Sequence, residues 1–89
     1  MKYNDSYSDE LIKKMGKIKK KNRVLYDVAL KKINEILEHP ETYKSLRYDL
    51  KGSRRVHLLK SFVLIFRIDE ASKIVQFDDI DHHDNIYKR

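Results

Sequence analysis

Apolar residues recur with two different periods along the 89-residue chain, and the change of period separates a helical half from a strand half. Before residue 40 they are spaced by three and four, as in a helix that buries one face. One stripe follows Ser8, a residue type that favours helix starts, and a second stripe lies within residues 22–38. Pro40 disfavours helical backbone at the residue before it, so the second helix is expected to stop there. The spacing predicts a pair of helices.

Beyond residue 54 the apolar residues alternate with polar ones or run together, as they do in β-strands. Residues 54–60 alternate, which places Arg55, His57 and Leu59 on one face of a strand. Residues 62–68 are nearly all apolar and fit a central strand that is buried on both faces. The remaining predicted elements are a loop at residues 69–72, a turn at 51–53, and strands at 73–80, 46–50 and 1–7.

Together these elements predict one α+β domain over residues 1–89, with a two-helix hairpin packed on a twisted antiparallel β-sheet. A chain of this length buries about 60–65% of its unfolded surface, so a thin core is expected. The absence of cysteine excludes disulfides and thiolate metal sites. The same absence fits a reducing cytoplasm, where we expect the protein to lie. No apolar run approaches about 18 residues, so we expect no membrane span.

The chain is strongly basic, with a formal net charge of +6 and a pI near 9.5. This charge favours polyanionic partners, namely RNA, DNA, an anionic membrane surface or an acidic protein, and does not choose among them. Lysines crowd residues 13–21. Such a cluster is either a solvated helix face or a source of long-range attraction to nucleic acid.

The last third of the chain holds most of the groups that could act as acids and bases. Cleavage of RNA at a 2′-hydroxyl requires a base for the hydroxyl proton, an acid for the leaving oxygen and cations for the phosphate. His57 shares its predicted face with Arg55, and two histidines, His82 and His83, follow the last strand. Adjacent side chains on extended chain point opposite ways, so only one of these two is expected in any one site. Tyr87 either contacts substrate or anchors the tail.

Several further cations could hold a phosphate, and each could equally be a solvated surface residue. These candidates are Arg54, Lys51, Lys60, Arg67, Lys13 and Lys20. The histidines and nearby acids could also supply metal ligands, but no zinc or EF-hand spacing is present. We therefore expect neither a metal nor another cofactor.

Four segments in fixed order, LKG, RRVH, SFVLIFRID and a terminal H-x-x-x-Y, resemble the RelE superfamily of toxin–antitoxin toxins, with the YafQ branch nearest. The helical half, ending in HPETYKSL, is also similar, so the resemblance spans nearly the whole chain. It implies ribosome-dependent cleavage of messenger RNA in the A site by 2′-hydroxyl attack without a metal. It also implies a cognate acidic antitoxin similar to RelB that blocks the toxin.

The resemblance also assigns residues. His57 and His83 match the histidines on which the YafQ-like branch relies, Tyr87 matches its C-terminal aromatic residue, and Arg54 and Arg55 lie in its basic strand. Ser61 stands where that branch usually has an acid. The expected function is therefore a ribosome-dependent endoribonuclease toxin. Two alternatives keep the same fold: a ParE-type toxin that binds DNA gyrase, and an inactive module that only binds its antitoxin.

Overall fold

The computed structural model describes residues 2–43 and 52–87, with Tyr87 described by its backbone alone. Four strands and three helices are present in this part of the chain. In order they are β1 (Asn4–Tyr7), α1 (Asp9–Lys21), α2 (Arg23–Glu38), β2 (Arg54–Leu58), β3 (Phe62–Asp69), β4 (Ile74–His82) and α3 (His83–Tyr87), with a short 3₁₀ turn at Pro40–Thr42 between α2 and β2.

The four strands form one sheet in the order β1-β4-β3-β2. Strands β2, β3 and β4 make the predicted antiparallel meander, and β1 pairs with β4 in parallel. The α+β fold class is confirmed, and the sheet is mixed, not wholly antiparallel. The period-2 pattern of a short edge strand reports which side chains share a face but not the strand's direction, so the parallel pairing was not predictable from it.

Both helix starts arise from local capping. The Ser8 hydroxyl accepts a hydrogen bond from the Leu11 amide at 3.0 Å and donates one to the Asp78 carbonyl at 2.6 Å. Asn22 caps two helices at once. Its backbone amide donates to the Ile18 carbonyl at the end of α1, and its side-chain oxygen accepts from the Leu25 amide at the start of α2. A single residue therefore connects the two helices of the hairpin.

Replacing Ser8 with alanine is expected to lower the free energy of unfolding by about 1–2 kcal/mol, because the variant loses a helix cap and a bond to β4. Urea unfolding followed by circular dichroism measures the change. Ser8→Thr keeps both hydrogen-bonding functions and should recover most of the loss. An unchanged midpoint for Ser8→Ala would show that these bonds do not stabilise the fold.

The core lies between the helical hairpin and one face of the sheet. The helices contribute Leu11, Leu25, Ala29, Ile33 and Ile36, and the strands contribute Leu58, Leu64, Phe66, Val75, Phe77 and Ile80. Phe66 and Phe77 are fully buried neighbours with ring centroids 5.9 Å apart. The predicted helical stripes and strand faces therefore meet in this core, except that Ile12, which belongs to the predicted α1 stripe, is 56% exposed.

Strand ends differ from the sequence predictions. The first strand of the meander stops at Leu58, because Leu59 has a positive φ of 54° and turns the chain, so Leu59 does not share a strand face with His57. Strand β4 runs two residues further than predicted, and its continuation into α3 was not predicted. The strand predicted at residues 46–50 lies outside the described residues. In the described ranges, no helix is both long enough and apolar enough to cross a membrane.

Candidate active site

Two histidines from distant parts of the sequence meet at the end of the sheet. The imidazole rings of His57, on β2, and His83, at the start of α3, are stacked with centroids 5.7 Å apart and an interplanar angle of 29°. His57 is exposed and His83 is partly exposed. Two groups that can each give or take a proton therefore lie side by side at the protein surface.

Strand register explains how the two histidines come together. His57 is the register partner of Val63 on β3, and Val63 is the partner of Asp81 on β4, so these three positions form one row across the sheet. Helix α3 begins just after this row and packs against β3 and β4. The His83 amide also donates to the Ser61 carbonyl, which fixes the start of α3 beside the β2–β3 turn.

The adjacent histidine has different surroundings. The His82 ring packs edge-on against Phe62 at 5.5 Å, and its Nδ1 accepts a hydrogen bond from the Asp84 amide at 3.2 Å. It therefore supports the strand-to-helix junction, while His83 faces His57. The sequence predicted that the two histidines would diverge, and the structure identifies which of them meets His57.

A lysine and two acids secure the same junction from the other side. Lys14 on α1 contacts both Asp79 and Asp81 at 2.8 Å, and Glu10 at 3.4 Å. Asp81 also accepts hydrogen bonds from the His82 amide at 2.7 Å and from the Asn85 side chain at 2.9 Å. This Lys14–Asp81 network joins α1, the end of β4 and the helix that carries His83.

Both charges in this network are stabilised by their partners. Burial by itself would raise the pKa of the Asp81 carboxyl, but hydrogen bonds from Lys14, Asn85 and the His82 amide outweigh it and lower the pKa to about 2. Burial would lower the pKa of Lys14, and its bonds to the two aspartates raise it above the ordinary value. Lys14 and Asp81 are therefore both ionised at neutral pH.

A positioning role for Lys14 was not predicted from the sequence. This lysine occupies a place in the apolar stripe of α1, between Leu11 and Ile18 at helical spacing. A lysine on the buried stripe of a helix requires acidic partners in the sheet beneath it, and this mismatch is the signal that could have identified it.

The predicted phosphate contacts fall into two groups. Arg55 shares the face of His57, and Lys60 is exposed in the turn that holds the His83 amide through Ser61. Two other arginines are engaged within the fold. The Arg54 guanidinium donates to the backbone carbonyls of Glu41 and Tyr43.

Arg67 forms a bidentate salt bridge with Asp78, with hydrogen bonds of 2.7 and 3.1 Å to its two carboxylate oxygens. These bonds raise the pKa of the Arg67 guanidinium. Its charge is therefore largely matched within the protein, which makes it a weak phosphate candidate.

Other predicted site residues are not brought to the histidine pair by a described contact. Lys13 and Lys20 are exposed on α1. Tyr87 ends α3, and its side chain lies outside the described residues, as does Lys51. No three histidine, aspartate or glutamate side chains converge as metal ligands in the part of the chain that the structure describes.

Comparison with known proteins gives a family. Residues 6–87 match the profile of the family described as the ParE toxin of type II toxin–antitoxin system, parDE. A curated relative from Methanocaldococcus jannaschii, named "Putative toxin RelE4", is 45% identical over 87 residues, covering 98% of this chain and 93% of that protein.

Solved structures share the fold at lower sequence identity. A free-state double mutant of the E. coli toxin RelE superposes with a TM-score of 0.77 at 20% identity, covering 99% of this chain and 93% of that one. The toxin in the intact E. coli RelBE toxin–antitoxin complex gives a TM-score of 0.75 at 20% identity, covering 90% and 95%. The fold and the sequence matches agree with the resemblance noted above, and the chain belongs to the RelE/ParE superfamily of toxins from toxin–antitoxin systems.

Proposed function

We propose that this protein cleaves messenger RNA in the ribosomal A site by metal-independent attack of a ribose 2′-hydroxyl. The observation that carries the proposal is the stacked pair of His57 and His83, 5.7 Å apart on an accessible surface. An acid and a base at this spacing can serve the two oxygens of a single phosphodiester. A toxin that acts only by binding has no need of such a pair.

The reaction uses each histidine once. One neutral imidazole takes the 2′-hydroxyl proton while that oxygen bonds to phosphorus, and the other, protonated, gives its proton to the departing 5′-oxygen. The products are a 2′,3′-cyclic phosphate and a free 5′-hydroxyl. His57 and His83 fill these roles, in an order that the pairing of the rings leaves open.

The growing phosphate charge requires cations. Arg55 lies two residues from His57 on the same strand face, and Lys60 extends from the turn beside His83. A guanidinium makes paired, charge-assisted bonds to phosphate oxygens, so Arg55 is the first candidate to hold the scissile group. The carboxylate usual at position 61 in the YafQ-like branch is absent here, and the mechanism proposed for this chain does not use one.

The proposal includes an acidic antitoxin and a cytoplasmic location, where messages are translated. Two observations support such a partner: the net charge of +6, and the presence of the same fold in the E. coli RelBE toxin–antitoxin complex. A basic toxin and an acidic antitoxin attract each other at long range, which favours rapid inactivation.

A second function is favoured by the family match, because the matching profile is that of ParE toxins. Such a toxin would bind DNA gyrase and leave RNA intact. The two functions predict opposite results in cells. A toxin that binds gyrase would cause DNA damage to accumulate while messages stay intact, whereas a nuclease would cut the messages.

The experiment is primer extension on a translated reporter message after induction of the wild-type protein or of His83→Ala at equal level. Cuts inside translated codons are expected with wild type and are expected to disappear with His83→Ala. Intact messages with a folded wild-type protein, or cuts of equal strength in His83→Ala, would exclude the proposed mechanism.

A further inference from the structure

An apolar groove of about 270 Å³ lies between α1 and α2, on the helical side of the sheet, whereas His57 lies on the face of β2 opposite Val56 and Leu58, which pack with the helices. Ile12, Met15 and Gly16 line it from α1, Tyr26 and Leu30 line it from α2, and Tyr7 of β1 also contributes to the lining. The mechanism proposed above uses none of these residues.

The groove exposes large apolar side chains that the fold leaves unburied. Ile12 is 56% exposed, Leu30 is 41% exposed and Tyr7 is 36% exposed. These are three of the five large apolar side chains that are exposed among residues 2–43 and 52–87. Isolated exposed apolar residues are ordinary, but a contiguous group in a concave site is typical of a surface that binds another protein segment.

Gly16 gives independent support. A glycine inside a helix costs about 1 kcal/mol relative to alanine. A Cβ built at this position meets no atom within 4 Å, so packing inside the protein does not require glycine here. The residue instead opens the α1 wall of the groove, and a close-fitting external side chain would account for its presence.

The charge around the groove indicates which kind of protein segment would bind there. Lys19 is the one ionised side chain among the lining residues, and its ammonium lies 5.8 Å from the Tyr26 ring centroid, with Arg23 on that ring at 5.4 Å. Helix α1 carries six lysines against two acids. A second copy of this chain would bring lysines against lysines, whereas an acidic segment would be attracted.

We propose that this groove, lined by Ile12, Gly16, Lys19, Tyr26 and Leu30, binds one amphipathic helix whose apolar residues are flanked by glutamate or aspartate. The identification of that helix as part of the antitoxin rests on the proposed function. The assignment of the groove as a binding site, and the chemistry of its ligand, depend only on the observations above. A helix bound in this groove would not itself cover His57 and His83.

The test uses displayed 15-residue helical peptides with leucine fixed at positions i, i+4 and i+7, and with glutamate and lysine equally frequent at every flanking position. Selection on the wild-type protein is expected to enrich glutamate over lysine at least threefold at those positions. The enriched peptides are then measured against variants by fluorescence anisotropy.

Gly16→Leu is the central variant, because Gly16 lines the groove and a Cβ built at this position meets no atom within 4 Å. It should fold with equal or higher stability and bind the enriched peptides at least tenfold more weakly. Lys17→Leu adds the same side chain to an exposed position of α1 outside the groove lining and should bind within about twofold of wild type. Lys19→Glu should reverse the charge preference in a repeated selection.

Three results would overturn the proposal: no enrichment above the unselected library, enrichment of lysine, or peptides that bind Gly16→Leu as tightly as wild type. Concentration-dependent dimerisation that Gly16→Leu abolishes would assign the groove to a second copy instead. Peptide binding does not depend on RNA cleavage. If the protein binds the peptides but leaves messages intact, the groove proposal stands and the proposed function is wrong. If it cuts messages but does not bind the peptides, the proposed function stands and the groove proposal is wrong.

Discussion

Alanine at His57 or at His83 is expected to lower the rate of message cleavage by about 10²–10⁴-fold, the usual contribution of a positioned acid or base. The two rings face each other at 5.7 Å and would act on one phosphodiester, so the losses should not add. The double variant is expected to be close to the slower single variant. Single-turnover cleavage on ribosomes programmed with a defined message measures the rates of the wild type, the two single variants and the double variant.

The chain supplies its own controls in two further histidines. His82→Ala removes a ring that packs against Phe62, and His39→Ala removes an exposed side chain at the end of α2. Both should retain activity within about tenfold of wild type. Full additivity of the His57 and His83 losses would indicate separate roles and would contradict their joint action at one phosphate.

Replacing Lys14 with methionine is expected to lower the free energy of unfolding by about 2–4 kcal/mol. Methionine keeps the length of the side chain but leaves Asp79, which is buried, and Asp81, which is partly buried, without their cation. Because Asp81 also holds Asn85 and the His82 amide, the loss should loosen α3. Urea unfolding gives the stability change, and hydrogen exchange at the amides of residues 83–86 gives the local effect.

The pH dependence of the stability distinguishes the contribution of the Lys14–Asp81 network from that of packing. The folded pKa of Asp81, about 2, lies below its unfolded value, so its stabilisation is present above about pH 4 and is lost as pH falls toward 2. Without Lys14 the pKa of Asp81 rises. The difference in stability between wild type and Lys14→Met should therefore shrink by about 2 kcal/mol from pH 6 to pH 2.5.

Lys17→Met is the matched control, since Lys17 is an exposed lysine on the same helix, and its effect should stay within about 0.5 kcal/mol. A difference between wild type and Lys14→Met that stays constant across this pH range would show that methionine acts through packing and not through the aspartates.

Elements whose causes are local could be predicted from the order of the amino acids alone. Ser8, Asn22 and Pro40 act within a few residues of themselves, so α1 begins, and α2 begins and ends, near the predicted positions. Alternation along residues 54–58 placed Arg55 and His57 on one face, opposite Val56 and Leu58, because side-chain direction in a strand follows from its period alone. The ordered motifs were enough to indicate the superfamily.

Contacts between groups that are distant in the sequence could not be predicted in this way and depend on the folded arrangement of the whole chain. The contact between His57 and His83 depends on the register of β2, β3 and β4 and on the fold of α3, none of which one segment encodes by itself. The same holds for the parallel pairing of β1 and for the partners of Lys14. Local spacing fixes where a side chain points, but contacts between distant segments follow from the joint burial of all the apolar faces, which is a property of the whole chain.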